Sequence, residues 1–274
     1  MKYADLHIHS SYSDGCFTPE EILEIAERKG LKCISITDHD TIASQYITKI
    51  KFSKVNIITG IEFSTEYDDQ DIHILAYHID IENVKLSMAI ERLRDARIER
   101  AKEIINKLKK VNIDIDINNL IRDGGFSLGR GNIAKEMVNM GYVDNFKEAF
   151  TKFLMKGKTA YVQGKKQNFK EVMKLIEECG GIAVLAHPGR IYRSIEVENI
   201  VRKLKCHGLK GIEVYHPSHS KEQINCFYNL SKKYKLLITG GSDFHEIKNG
   251  DCTLGSQGIS ELLLEKIINI KDKQ

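Results

Sequence analysis

The residues able to do chemistry recur at regular places along this chain. His7 and His9 stand two apart in Asp5-Leu6-His7-Ile8-His9, so on an extended strand both imidazoles project to one face. That spacing suits two nitrogen ligands on one metal ion, and imidazole combined with carboxylate fits Zn2+, Mn2+ or Fe2+. Asp14 follows just beyond. The same residue types close further apolar runs, in Thr37-Asp38-His39-Asp40, Glu62, Ala186-His187-Pro188-Gly189, Tyr215-His216-Pro217 and Gly241-Ser242-Asp243-Phe244-His245, and the run at 72–78 carries His73. His7, His9, Asp14, His39, Glu62, His73, His187, Asp243 and His245 make nine potential ligands. Nine are too many for one ion and enough for two or three divalent ions. Such a centre clamps a phosphate and acidifies a water to hydroxide at neutral pH. Three divalent ions against the three carboxylates of the set leave a formal charge of +3, which favours a phosphorylated substrate. A lone His-x-His says little; the reading rests on the conjunction. There is no G-x-S-x-G elbow for a serine nucleophile and no G-x-x-x-x-G-K-[ST] phosphate loop. The glycines of Phe126-Ser127-Leu128-Gly129-Arg130-Gly131 lack the strand-turn-helix context of a dinucleotide fingerprint.

Seven short apolar runs carry these groups, at 3–9, 31–37, 55–64, 72–78, 181–187, 209–216 and 236–243. Each has the length and the Ile, Val and Leu content of a strand buried on both faces. Helical patterns separate several of them. Residues 18–30 read as a helix with Thr18 as N-cap, Pro19 at N1, Glu21 at N3 and Gly30 as the stop. Residues 168–180, 195–207 and 221–234 read as three more. Alternating strands and helices imply a parallel α/β sheet or barrel, whose strand ends gather the polar groups on one face. The rhythm breaks at 84–110, one long charged helix with Leu86, Ile90, Leu93, Ala101, Ile105 and Leu108 on a stripe. Helical pieces follow to about residue 156, separated by Gly124, Gly125 and Gly141. Residues 84–157 therefore read as a helical insertion between a first part, 1–83, and a second part, 158–274.

The chain has 274 residues, with 42% hydrophobic and 29% charged residues, an ordinary composition for a soluble enzyme. It excludes a disordered tail, a collagen-like fibre and a disulfide scaffold. Its 41 basic and 38 acidic residues leave +3, which fits a small anionic substrate at least as well as long nucleic acid. No run approaches 18 apolar residues, and no basic segment followed by an apolar one opens the chain. Six scattered cysteines without a C-x-x-C pair read as reduced thiols. The expectation is a cytoplasmic protein without membrane contact or an obligate protein partner.

The stretches DLHIHSSYSDG at 5–15, TPEEI at 18–22, ITDHDT at 36–41, GIEFS at 60–64, DIHILAY at 71–77, AHPG at 186–189, EVYHPSHS at 213–220 and GSDFH at 241–245 make the chain specific enough to place. It resembles the PHP (polymerase and histidinol phosphatase) family of metal-dependent phosphoesterases. Within it, the chain is most similar to the branch with nucleoside 3′,5′-bisphosphate phosphatase and 5′-to-3′ exoribonuclease activity. The resemblance implies a distorted (β/α)7 barrel with a helical insertion, and a trinuclear centre. His7, His9, Glu62 and Asp243 would hold one ion; Glu62, bridging, with His73 and His187 a second; Asp14, His39 and His245 the third. It further implies that Arg130 reaches the substrate phosphate from the insertion, although the family's Arg-Pro-His becomes Arg130-Gly131-Asn132 here.

Glu62, Asp243 and His216 are the expected catalytic residues, and Arg130, His216 and Arg190 the expected substrate contacts. Asp38 or Asp40 would either orient the His39 imidazole or cap the following helix. His219 is either a weaker candidate for the same contacts as His216 or only a solvated helix start, and His78 and His207 read as ordinary residues. The expected reaction is hydrolysis of a phosphomonoester, by in-line attack of a metal-bridging hydroxide on a small phosphorylated metabolite such as a nucleoside 3′,5′-bisphosphate. The alternatives are a 5′-to-3′ exoribonuclease on short RNA and a histidinol-phosphate phosphatase. A nuclease needs a basic track with stacking aromatics. Lys152, Lys156, Lys158, Lys165 and Lys166 near Phe150, Phe153 and Tyr161 are either that track or a solvated face over core aromatics. PHP modules attached to polymerases can be non-catalytic after losing ligands, but here all nine positions are filled.

Overall fold

The computed structural model describes residues 3–50, 53–68, 70–122, 127–164, 167–191, 197–248 and 250–271. Its first strand, β1 (Ala4–Ile8), is buried along its whole length, His7 included. α1 (Pro19–Arg28) opens with the expected capping box: Thr18 Oγ1 accepts from the Glu21 amide, and Glu21 accepts from the Thr18 amide. A cap of this kind contributes about 1 kcal/mol. α1 lays Ile22, Ile25 and Ala26 on a cluster with Ile8, Ile34, Ile36 and Phe244. β2 (Cys33–Ile36) pairs in parallel with β1, and β3 (Asn56–Ile57) in parallel with β2.

A second, six-stranded sheet contains β4 (Gly60–Tyr67), β5 (Gln70–Tyr77), β6 (Gln167–Asn168), β7 (Ile182–Leu185), β8 (Gly211–Tyr215) and β9 (Leu237–Gly240). Its order is β6-β4-β5-β7-β8-β9. α6 (Phe169–Glu178), α7 (Val197–Lys205) and α8 (Lys221–Lys233) cover it, packing Val172, Ile200 and Phe227 onto Ile61, Phe63 and Val214. The two sheets meet through single bridges, Ile8 to Phe244 and His39 to Glu62. These bridges bring the ligand-bearing ends of β1, β2, β4 and β9 together. A small hairpin, β10 (Ile247–Lys248) and β11 (Asp251–Cys252), and a last helix, α9 (Glu261–Lys271), follow.

Two strand expectations are corrected. Residues 55–64 form two strands, β3 in one sheet and β4 in the other, because the chain changes sheets at Gly60. A Cβ there would lie 2.3 Å from Ser35 Oγ and 2.8 Å from Thr37 Cγ2, so only glycine permits the crossing. The sheet is also not wholly parallel: β5 runs antiparallel to both β4 and β7. The link from Tyr67 to Gln70 is far too short for the crossover that parallel pairing requires. Glu62, expected to end its strand, consequently stands third in β4, while His73 is carried within β5 as expected, opposite Ser64.

The long charged helix forms as α2 (Val84–Lys109). Its apolar stripe serves two cores. Leu86 and Leu93 pack into the sheet core, whereas Ala101, Ile104, Ile105 and Leu108 belong to a second core with Leu120, Ile133, Met137 and Leu154. That second core is completed by α3 (Ile117–Arg122), α4 (Arg130–Asn139) and α5 (Phe146–Ala149), which runs on into a π-helical turn over Phe150–Leu154. Gly124, Gly125 and Phe126, and Ile195 in the expected helix at 195–207, lie outside the described residues. Among the described residues no helix is long and apolar enough to cross a membrane.

Candidate metal centre

Glu62 leaves the inner face of β4 with no exposed surface, and five imidazoles converge on it. Its Oε1 lies 2.9 Å from His73 Nδ1 and 2.9 Å from His187 Nε2. Its Oε2 lies 3.1 Å from His39 Nδ1, 3.2 Å from His9 Nε2 and 3.3 Å from His7 Nε2. Asp243 closes another side, with Oδ1 3.2 Å from His9 Nε2 and 3.5 Å from His7 Nε2. Asp14 Oδ1 lies 3.2 Å from His245 Nε2, and Oδ2 3.9 Å from His39 Nε2. All nine expected ligand residues therefore meet at one place. Ligand atoms within 4.8 Å of one another form four groups: His9, Asp14, His39 and His245; His7, His9 and Asp243; His7, Glu62 and His187; His39, Glu62 and His73. His187 and Asp243 hold left-handed backbone angles, φ +24° and +51°, a conformation that costs about 1–3 kcal/mol and concentrates at functional sites.

The electrostatics of this cluster call for a cation. Burial works against ionising Glu62 and Asp243. The surrounding imidazoles nevertheless hold both carboxyls well below their usual range, His39, His7 and His73 acting on Glu62. Burial lowers His39 to about 3 and His187 to about 4, leaving neutral imidazoles with free lone pairs. His9 is driven the other way: burial opposes its charge, but Asp243 and Glu62 raise it to about 10. Buried atoms of the set also make no well-aligned hydrogen bond among the described residues, although opposite charges stand close by: His7 Nε2, His9 Nε2, Asp14 Oδ1, His39 Nδ1, Glu62 Oε2 and His187 Nδ1. Polar atoms this dense, buried and poorly aligned with one another, are better satisfied by a positive centre among them. The donor set thus fits divalent ions of the Mn, Fe or Zn type.

Buried carboxylates that the sequence reading left without a role brace the ligands. Glu213, in mid-β8, accepts from His7 Nδ1 at 3.0 Å and from the His187 amide at 2.7 Å. A carboxylate behind a histidine fixes its tautomer, leaving Nε2 as the ligand atom. The signal was a lone charge inside an apolar strand. Asp5 takes the Ser242 amide and hydroxyl and the Gly255 amide, and burial still raises it to about 6. Asp38 and Asp40 do neither of the things expected of them. Asp38 accepts from the Ser10 amide and hydroxyl and from Ser13 Oγ. Asp40 pairs with Arg97 and accepts from the Ser64 amide. Both carboxylates tie neighbouring segments to the His39 loop, while Thr41 Oγ1 accepts from the Ala43 amide at the next turn.

The centre opens into a cavity of about 1150 Å3 whose lining includes Arg97 and Arg100 of α2, Arg130 of α4, Phe146 of α5, Phe150 of the π-helical turn and Tyr161 beyond it. Arg130 donates to the Leu154 carbonyl at 3.2 Å, its guanidinium 5.7 Å from the Phe150 and Tyr161 rings. Arg190, half exposed, reaches Asp243 Oδ2 at 2.7 Å, and His216 Nε2 meets the same oxygen at 3.2 Å. His216 Nδ1 contacts Ser218 Oγ at 2.7 Å. Of the two readings of His219, the solvated helix start is excluded: it is buried, with Nδ1 on the Val214 carbonyl and Nε2 accepting from the Gly189 amide. It clamps the His187 loop to β8. Of the basic stretch with its aromatics, Phe150 and Tyr161 line the cavity. Lys152 pairs with Glu148 one turn back, Phe153 packs on the second core, and Lys165 and Lys166 lie outside the described residues.

Comparison with known proteins agrees with this geometry. The family profile described as "PHP domain" matches residues 5–183. A 5′-3′ exoribonuclease of Haemophilus influenzae is 32% identical over 249 residues, covering 89% of this chain and 90% of that protein. A 3′,5′-nucleoside bisphosphate phosphatase of Chromobacterium violaceum is 29% identical over 261 residues, covering 93% of this chain and 91% of that protein. A solved structure from Bifidobacterium adolescentis, proposed to be a metal-dependent phosphoesterase, superposes with a TM-score of 0.85 at 26% identity, covering 97% of this chain and 95% of that one.

Proposed function

Since the chain belongs to the PHP-domain family of metal-dependent phosphoesterases, we propose that it removes a phosphate from a small nucleotide, a nucleoside 3′,5′-bisphosphate above all. The observation that carries this reading is the pairing of the nine-residue ligand cluster with a cationic, aromatic wall across one cavity. His7, His9, Glu62 and Asp243 would hold one ion, Glu62 with His73 and His187 a second, and Asp14, His39 and His245 a third. Bound there, divalent ions would supply a hydroxide nucleophile at neutral pH and neutralise charge on the phosphoryl oxygens.

The chain's own residues do the rest. Arg130 offers a guanidinium fork to a phosphate oxygen. Arg190, held on Asp243 and half exposed, is placed to turn onto the phosphoryl group. His216, between Asp243 and Ser218, is placed to donate a proton to the leaving oxygen. Phe146, half exposed, is among the residues lining the cavity and stacks on Phe150 with centroids 5.0 Å apart, which suits the flat face of a base.

We read the two bridged sheets as a distorted (β/α)7 barrel, and 84–157 as an insertion between barrel parts 1–83 and 158–274. The separate second core supports this. Six free cysteines support a reducing, cytoplasmic setting. Hydrolysis of short RNA from its 5′ end is the second reading, favoured by the exoribonuclease relative. The test is a panel of nucleoside 3′,5′-bisphosphates, histidinol phosphate and 5′-phosphorylated short RNA, each with Mn2+. The highest kcat/KM is expected on a bisphosphate; a higher value on RNA or histidinol phosphate refutes the assignment.

A further inference from the structure

Asp14 differs from other residues of the cluster in how its backbone is held. His7 stands in β1, Glu62 in β4 and His73 in β5, each within a strand. Asp14 stands in the turn after β1, and it is the only carboxylate in its group with His9, His39 and His245. Its side chain is 26% exposed, against 1% for Glu62, so packing constrains it less. On one side the turn is tied to its own surroundings: the Ser13 and Gly15 amides donate to the Ser10 carbonyl, and Ser13 Oγ donates to Asp38. On the other side it is tied to α4. Asn132 Nδ2 donates to the Ser13 carbonyl at 2.7 Å, and Asn132 Oδ1 accepts from the Gly129 amide at 2.8 Å. These bonds use both ends of one amide and fix its orientation. The Ser13 carbonyl belongs to the same planar peptide unit as the Asp14 nitrogen, so a bond to that oxygen sets the plane from which Asp14 leaves. α4 also comes close to the carboxylate itself. A Cβ on Gly131 would lie 3.3 Å from Asp14 Cβ and 3.5 Å from Oδ2, and the bare backbone lets the first turn of α4 seat against Asp14.

We infer that Asn132 is a positioning residue for the metal centre: through the Ser13 carbonyl it aims the Asp14 carboxylate, so that α4 helps to fix the ion held by Asp14, His39 and His245. The inference rests on the three-position reading above and deepens it. A carboxylate already held in place loses less freedom when it binds. Arg97 makes the companion tie, from α2 to Asp40 beside His39. Two ligands of one position are thus each steadied from the helical layer rather than from the sheets. The coupling is reciprocal: an ion on Asp14 steadies the contact of α4 with the turn in return.

The test uses Mn2+ as the probe and reads binding, not turnover. Wild type is compared with Asn132→Ala, which removes both bonds, and with Asn132→Asp, which keeps an acceptor for the Gly129 amide but has no donor for the Ser13 carbonyl. Asp14→Asn, alone and combined with Asn132→Ala, completes a double-mutant cycle. Bound ions are counted after dialysis, and affinities come from competitive titration against a chelator. Asn132→Ala and Asn132→Asp should each weaken one ion by about 10- to 100-fold and leave the rest within about threefold of wild type. In the Asp14→Asn background, Asn132→Ala should add less than about twofold, because the group it acts through is gone. Hydrogen exchange across α4 should slow on Mn2+ loading in wild type and not in Asn132→Ala. Without metal, the melting temperature of Asn132→Asp should stay within about 2–4 °C of wild type, the cost of one hydrogen bond. Mn2+ binding by Asn132→Asp at wild-type strength or tighter shows that only the bond to Gly129 matters, and overturns the proposal. Equal weakening of every ion, or full additivity with Asp14→Asn, also overturns it. If wild type holds fewer than three ions, the three-position reading fails; the positioning role then stands only if Asn132→Ala weakens an ion that Asp14→Asn also weakens.

Discussion

Replacing Glu213 by glutamine tests the bracing of the metal centre without changing its shape. The carboxylate receives two donors in a fully buried place, His7 Nδ1 at 3.0 Å on one oxygen and the His187 amide at 2.7 Å on the other. An amide of the same outline has one acceptor and one donor group, so one of these bonds must be lost. If His7 loses it, the ring can take the other tautomer and place a hydrogen on Nε2, where a metal would bind. A hydrogen bond to a charged group is worth about 1.5–3 kcal/mol, and removing such a partner typically costs about 10- to 100-fold in metal affinity. Glu213→Gln should therefore weaken the ions held through His7 and His187 by about 10- to 100-fold, sparing those held by Asp14, His39 and His245. Glu213→Ala, which strands both donors, should cost more. Metal content after dialysis, competitive titration against a chelator and kcat/KM would be measured on one preparation. Affinity within about threefold of wild type refutes the bracing argument. Equal loss at all positions with a falling melting temperature shows a general stabilising role instead.

Three further outcomes are expected. Glu62→Gln removes the carboxylate on which five imidazoles converge, and turnover should fall at least ~10²-fold with reduced metal content; normal values for both would exclude a bridge. Arg130→Ala should leave metal content intact and lower kcat/KM by about 10- to 100-fold, or about 1.4–2.8 kcal/mol, and unchanged kinetics on every phosphorylated substrate would remove it from the site. Metal binding should be proton-linked: without ions His9 is raised to about 10 and His7 also lies above its usual value, while His39 and His187 are already neutral. At pH 7.5 loading should thus release about one to two protons, and apparent affinity should weaken as pH falls from 8 to 6. Calorimetry in buffers of different ionisation enthalpy measures the release, and proton-neutral binding would contradict it.

The candidate ligand cluster was readable because strand periodicity and residue type agree: His7 and His9 share a face by the two-residue repeat, and Asp243 follows the apolar run of β9, whereas Glu62 proved to lie inside β4 rather than at a strand end. The α1 cap and α2 were readable for similar local reasons. The β4–β5 hairpin was not, because composition does not distinguish parallel from antiparallel strands, and the brevity of the Tyr67–Gln70 turn had to be weighed instead. Glu213 was hidden by its apolar neighbours. Arg97 was lost among the many charges of α2, since its value comes from what stands opposite, Asp40. His219 gave no local sign that its ring would be buried against the His187 loop.

A single unbroken helix, α2, is shared by the sheet core and the second core, and this makes it a ruler. The spacing between the His39 loop and the cationic wall is set by helical rise, about 1.5 Å per residue, not by a hinge. Substitutions on the wall can retune affinity, but the distance between two recognised groups changes only with the register of the helix. Adding or deleting one turn between Leu93 and Ala101 would shift the wall by about 5.4 Å and rotate it little. Relatives of this fold could then diverge in the length of molecule they accept while every metal ligand stays in place.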